Sequence, residues 1–232
     1  MDFIYCTSSR PDGNMSLCYG DTRDAVDNRK AFLAKSGIDY LGLVCAKQVH
    51  GAGVYYVTEK DSGRGALDYQ SSIGDTDAFI SDKKNLALAI FTADCPAIFL
   101  YDPLKPAIGL IHAGWRSTKQ NIVKKTIRLM QERFSSEPGG LKVTLGPAIR
   151  SCCYEVGEEF SDTFGSAVIK RGSRYYLDLP LVNTRELLEC GVGEENISDS
   201  KICTCCRDNE FFSFRRQGDA CGRMMAVAML SG

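Results

Sequence analysis

Three apolar runs lie close together in the chain: Leu86–Thr92, Ala97–Tyr101 and Ala107–Ile111. Each has strand length and none alternates with polar residues, which is how strands buried on both faces read. Asp102-Pro103 marks a turn between the last two. The stretch from Leu86 to Tyr101 also contains Asp94 and Pro96, so it makes a poor membrane span. It reads as two core strands around a functional turn.

Other elements surround these strands. Asp21-Thr22 can start a helix that runs through Val26, Ala31 and Phe32 to Gly37. Strands are expected at 44–49, 53–57, 77–81, 141–145 and 224–230, and the Gly- and Ser-rich segment 63–75 reads as a loop. Ser117 and Gln120 have capping-box spacing, so a helix is expected after Trp115-Arg116, with Ile122, Ile127, Met130 and Phe134 on its apolar face. Two more helices are expected at 158–169 and 181–190. Strands and helices mix without strict alternation, and no repeat or linker divides the chain. The expected class is α+β, with mixed β-sheets and packed helices in a single domain over residues 1–232.

Composition excludes some functions. Of 232 residues, 44% are hydrophobic and 25% charged, and the net charge is −1, so there is no electrostatic footprint for nucleic acid. The start Met1-Asp2-Phe3-Ile4-Tyr5 lacks a basic segment and an apolar core, so no signal peptide is read there. The 11 cysteines are an odd number and include the vicinal pairs Cys152-Cys153 and Cys205-Cys206. Free thiols in a reducing compartment follow, with a cytoplasmic location, no membrane association, and a monomer or weak homodimer.

The chain has only two histidines, His50 and His112. Each stands at the end of an expected strand, beside Gly51 or Ala113-Gly114. Cys95 lies between them, where an apolar strand breaks. Two histidines and a cysteine suit zinc, and three protein ligands leave one position open, as catalytic zinc sites do. Spacings of 45 and 17 positions do not by themselves separate this from two satisfied core histidines and a buried thiol. Cys203-x-Cys205-Cys206, with Cys190 or Cys221, lacks the paired C-x₂-C spacing of structural zinc sites, and Cys152-Cys153 is ambiguous. Buried thiols are expected at both.

At these residues the chain resembles the laccase-domain family, also called multicopper polyphenol oxidase-like or peptidoglycan-editing-factor proteins. The matching stretches are Gln48-Val49-His50-Gly51, Asp75-Thr76-Asp77-Ala78, Thr92-Ala93-Asp94-Cys95 and His112-Ala113-Gly114-Trp115-Arg116. They continue with Gly146-Pro147-Ala148-Ile149, Cys152 to Gly157, Phe211 to Arg216, and Gly222-Arg223. The resemblance implies a zinc site on His50, Cys95 and His112. It also implies purine nucleoside phosphorylase activity on adenosine, inosine, guanosine and methylthioadenosine, with adenosine deaminase activity. Some bacterial relatives carry a peptidoglycan-precursor editing role. The chain departs from the family pattern at Cys18, at Pro96-Ala97 and at Ser117, none of which is a metal ligand.

Phosphorolysis needs an anion site, and Arg116 stands just before an expected helix N-terminus. Arg29, Arg64 and Gln48 are further candidates for substrate or phosphate, the two arginines having surface ion pairing as an alternative. Asp94 and Asp77 are candidates for the proton shuttle of deamination, or for orienting a metal ligand. Three other readings stay open: a cysteine hydrolase with Cys95 as nucleophile, a copper phenol oxidase, and a non-enzymatic nucleoside-binding module. A multicopper enzyme needs more histidines than this chain has.

Overall fold

The structure is a computed structural model that describes residues 2–232; of the N-terminal stretch read above, Met1 lies outside them. In chain order the elements are β1 (Phe3–Thr7), α1 (Thr22–Ala34), β2 (Val44–Cys45), β3 (Val54–Tyr56), β4 (Ala78–Ser81), β5 (Leu88–Thr92), β6 (Ala97–Asp102) and β7 (Ala107–His112). There follow α2 (Trp115–Lys119), α3 (Ile122–Phe134), β8 (Lys142–Leu145), β9 (Glu155–Val156), α4 (Phe160–Phe164), β10 (Val168–Arg171) and β11 (Arg174–Leu177). The chain closes with α5 (Leu179–Glu189), β12 (Ile197–Asp199), α6 (Phe214–Gln217) and β13 (Met224–Leu230).

Two mixed sheets form the centre. One has the order β1-β13-β5-β2, the other β12-β8-β6-β7-β4-β3, and a small third sheet runs β10-β11-β9. The apolar runs now have a physical cause. In β6, Ala97 and Phe99 face the opposing sheet and pack with Ile90, Ala226 and Ala228. The alternate residues Ile98 and Leu100 face outward onto Ile122, Val123, Ile127 and Met130 of α3. In β13, Met225, Val227 and Met229 likewise face outward, here onto Phe32 and Leu33 of α1. Helices thus cover both outer faces of a β-sandwich, and its central strands meet no water on either side. This is the mixed α+β architecture expected from the sequence. The β6–β7 turn closes as its Asp-Pro pair implies: Asp102 Oδ1 accepts the backbone N–H of Leu104 and Lys105 at 2.9 and 3.0 Å.

Several expectations need correction. The strand expected over 44–49 ends at Cys45. Beyond it the Gln48 side chain bonds both backbone groups of Phe91, donating to its O at 2.9 Å and accepting its N–H at 2.7 Å. One amide side chain thereby replaces a rung of the strand ladder. The helix expected over 158–169 is reduced to α4, because Gly165 turns left-handed at φ +52° and Val168–Arg171 pairs with β11 instead. The helix after Trp115 begins at Trp115 itself, with Gly114 as its N-cap. Ser117 lies inside it, and its buried hydroxyl has no partner. Asp178, whose side chain accepts the N–H of Leu181, starts α5 two residues before the expected position.

Candidate metal centre

His50, Cys95 and His112 come from three separate places in the sandwich: a loop, a turn and a strand end. One ligand atom from each lies within 4.8 Å of the others. His112 ends β7, Cys95 follows the turn after β5, and His50 sits in the loop between β2 and β3. His50 is exposed, Cys95 half-buried and His112 buried, so the set faces a cavity from one side.

Asp77 organises both histidines. Its Oδ1 meets His112 Nδ1 at 2.8 Å, which leaves Nε2 of that ring to face the cluster. Its carboxylate also accepts three consecutive backbone N–H groups, from Val49, His50 and Gly51, at 3.2, 3.0 and 2.8 Å. Those bonds hold His50 in the left-handed region at φ +56°, which a non-glycine residue adopts only under such constraint. A buried carboxylate would ordinarily resist ionisation, but the imidazole and these amides keep Asp77 below its usual range. Asp77 is thus placed to orient the His112 ring and the His50 loop, one of the two parts read for it from the sequence.

Asp94 plays a similar part for Cys95. Oδ1 accepts from Thr204 Oγ1 at 2.7 Å, and Oδ2 accepts from Ser213 Oγ at 3.0 Å and from Arg215 N at 2.7 Å. These bonds hold a turn whose Asp94 is itself left-handed, at φ +91°. Gly114 completes the packing: a Cβ there would stand 3.1 Å from His50 Cδ2 and 3.2 Å from Cys95 Sγ.

The charges suit a cation. Burial would raise the Cys95 thiol, yet the imidazoles of His112 and His50 outweigh it and hold the thiol below its ordinary value. Burial would lower His112, yet the Cys95 sulfur and Asp77 outweigh it and hold the ring above its ordinary value. A shared proton between sulfur and imidazole is what a metal ion would replace. The soft donor set, the Asp77-held tautomer and the sub-5 Å convergence fit zinc, with one coordination position left to the cavity.

The cavity has a volume of about 650 Å³. Phe91, Trp115 and Tyr154 are among the residues that line its wall, and Arg116, Arg215 and Arg223 supply three cations. The Arg116 guanidinium lies over the Trp115 ring at 4.4 Å, Arg215 over Tyr154 at 5.3 Å and Arg223 over Tyr19 at 4.1 Å. Arg215, Arg223 and Tyr154 were not singled out from the sequence as site residues. All three lie inside stretches that carry the family resemblance, which was the available signal.

Gln48 lines the cavity, but both ends of its amide are taken by Phe91. Arg64 lies outside the cavity, bonded to Ser71 O and Asp61. Arg29 is also outside it and only 2% exposed, its guanidinium donating to the carbonyls of Met15, Gly65 and Ala66 at 2.7, 2.9 and 2.9 Å. It ties two loops together. Arg29→Met is expected to lower stability by roughly 3 kcal/mol, at about 1 kcal/mol for each orphaned carbonyl. Chemical denaturation measures this, and a raised phosphate KM at unchanged stability would refute the structural role.

The sandwich and its cavity define a class: a helix-flanked β-sandwich protein whose cavity floor presents a two-histidine, one-cysteine ligand set. The chain belongs to the multi-copper polyphenol oxidoreductase laccase family, whose model matches residues 7–231. It is 35% identical over 223 residues to a protein of Geobacillus stearothermophilus named purine nucleoside phosphorylase YlmD, covering 92% of this chain and 81% of that one. It is 28% identical over 212 residues to a protein of an unknown prokaryotic organism named adenosine deaminase RL5, covering 88% and 80%. The crystal structure of YlmD from Geobacillus stearothermophilus superposes with a TM-score of 0.93 at 32% identity, covering 99% of this chain and 92% of that one. No helix among the described residues is long and apolar enough to cross a membrane.

Proposed function

We propose that the protein is a zinc-dependent purine nucleoside phosphorylase acting on adenosine, inosine, guanosine and methylthioadenosine, with adenosine deamination as a second activity. Residues 1–232 are read as one domain for this purpose. The observation that carries the proposal is the His50, Cys95 and His112 set on the floor of a cavity walled by aromatic rings and guanidinium groups. The names of the relatives support the two activities, phosphorylase and deaminase, without naming a metal or a phosphorylase substrate beyond purine nucleosides.

Each part of the reaction has a group suited to it. Flat apolar faces at Phe91, Trp115 and Tyr154 suit a purine, whose π-face stacks on aromatic rings. Burial and the nearby Cys95 sulfur push the Tyr154 phenol up, so it stays protonated and can donate toward the base. Arg116 suits phosphate, because a guanidinium can grip two of its oxygens. A zinc ion held by the three ligands supplies Lewis-acid charge. Asp77 and Asp94 act through the ligands they hold, with Asp94 already engaged by three donors.

Arg116→Ala is expected to weaken phosphate binding about ten- to a hundredfold, from about 1.5–3 kcal/mol of lost charge-assisted contact. Zinc content and deamination should change less, since water replaces phosphate there. The phosphate KM of the variant, measured beside its deamination rate, is the test, and an unchanged KM removes Arg116 from the phosphate site.

The low-lying Cys95 thiol beside His112 favours one second reading, a cysteine hydrolase that edits a peptidoglycan precursor. One experiment separates the two. Metal-quantified protein is incubated with adenosine, inosine and methylthioadenosine, with and without phosphate. Phosphate-dependent release of free purine, lost on chelation, supports the phosphorylase. Absence of nucleoside turnover, with precursor hydrolysis that survives chelation, supports the hydrolase. Phenol oxidation that requires copper and far exceeds nucleoside turnover would favour an oxidase instead.

A further inference from the structure

Away from the cavity floor, a second set of soft donors converges. The sulfurs of Cys152, Cys153, Cys203 and Cys206 all lie within 4.8 Å of one another. Cys206 Sγ is 3.6 Å from Cys152 Sγ and 3.3 Å from Cys153 Sγ. Zinc–sulfur bonds of about 2.3 Å give a tetrathiolate tetrahedron edges of about 3.8 Å, close to these separations. A disulfide instead needs two sulfurs at about 2.05 Å. Here Cys206 approaches two partners at once, so the four sulfurs surround a point and do not sort into pairs.

The expectation of buried thiols holds for Cys203 and Cys221 but not for the others. Cys203 and Cys206 are themselves a C-x₂-C pair, and their partners are the vicinal Cys152-Cys153 rather than Cys190 or Cys221. Cys203 is buried, but Cys152 and Cys206 are exposed, which leaves a metal ion an entry path.

The backbone holds the two loops together without any metal. Ala148 N donates to Ile202 O and Thr204 N to Ala148 O, each at 3.2 Å. Arg150 also pairs with Asp199.

We propose that Cys152, Cys153, Cys203 and Cys206 bind a zinc ion as a structural tetrathiolate site. Four protein sulfurs leave no open coordination position, which is the mark of a structural rather than a catalytic zinc. The site staples the loop after β8 to the loop after β12. Both loops reach the cavity. Ile149 and Tyr154 in the first line it, and Thr204 in the second donates to Asp94 beside Cys95. The staple therefore steadies the turn that presents Cys95, and it stands independently of which reaction the cavity performs.

The test uses the full chain purified in reductant without added metal, then equilibrated with zinc and freed of excess. About two zinc ions per chain are expected in the wild type, and about one in Cys152→Ser/Cys206→Ser and in His50→Ala/His112→Ala. Because the cysteine variant can fail to fold, the wild type is also treated with a thiol reagent. The four thiols should be protected with zinc bound and become reactive after a chelator is added. Cobalt in place of zinc should give the intense visible bands of tetrahedral tetrathiolate coordination. Equal reactivity with and without zinc overturns the proposal. So does loss of all zinc in the histidine variant, a disulfide among these cysteines in a peptide map under reductant, or an iron chromophore in the purified protein.

Discussion

Removing any one of His50, Cys95 or His112 by substitution with alanine should strip the cavity of its metal and reduce nucleoside phosphorolysis on the order of a thousandfold. The magnitude follows from the several kcal/mol that a Lewis acid contributes to a charged transition state, at about 1.4 kcal/mol per tenfold in rate. The three candidate ligands stand on a loop, a turn and a strand end, and no spare histidine exists to replace either ring. Two remaining ligands hold zinc poorly, so each single variant should behave alike. Elemental analysis of the folded variants, read beside turnover, is the measurement. Full zinc retention at this site in all three variants would refute the ligand assignment. Retention of nucleoside turnover in zinc-depleted variants would refute the catalytic role while leaving the ligands in place.

Phe79→Ala should cost about 3–5 kcal/mol of folding stability, a large share of the roughly 5–15 kcal/mol that holds a domain of this kind together. Phe79 is fully buried in β4, faces the opposing sheet and packs in the cluster that includes Leu88, Ile90, Phe99 and Ala228. Sheets joined by interdigitated side chains relax little around a lost ring, so the cavity persists and its cost is paid in full. Leu104→Ala is the control, because Leu104 is 77% exposed and should change stability by about 0.5 kcal/mol or less. Chemical denaturation of both variants measures the difference. Comparable stability in the two would mean that the interior between the sheets is not the load shared by both layers.

Features that a local pattern encodes are legible in the linear chain. The unbroken apolar runs 86–92, 97–101 and 107–111 read as doubly buried strands because every residue of a central strand meets protein on one face or the other. Asp21 read as the start of α1, since one side chain bonding Arg23 N is a nearest-neighbour event. Two histidines and one cysteine at strand ends read only as a candidate ligand set, which the family resemblance, and not their spacing, set above two core histidines and a buried thiol.

Other features depend on contacts between residues far apart in the chain and show only once it is folded. Asp77 gathers the amides of residues 49–51 and the ring of His112, and nothing in its local sequence marks it as the hub of both. Arg29 read as a substrate candidate because charge alone does not tell a guanidinium facing phosphate from one buried under three carbonyls. For Asp94 the sequence left proton shuttle and ligand orienter side by side, and the three donors that engage its carboxylate, all more than a hundred residues away, are invisible in the local pattern. The cysteine pairs at 152–153 and 203–206 became one site only when the loops that carry them were bonded side by side. Periodicity and capping act over a few residues and survive in the linear pattern, whereas a ligand's neighbours are chosen by sheet packing, which places in contact segments that the sequence separates.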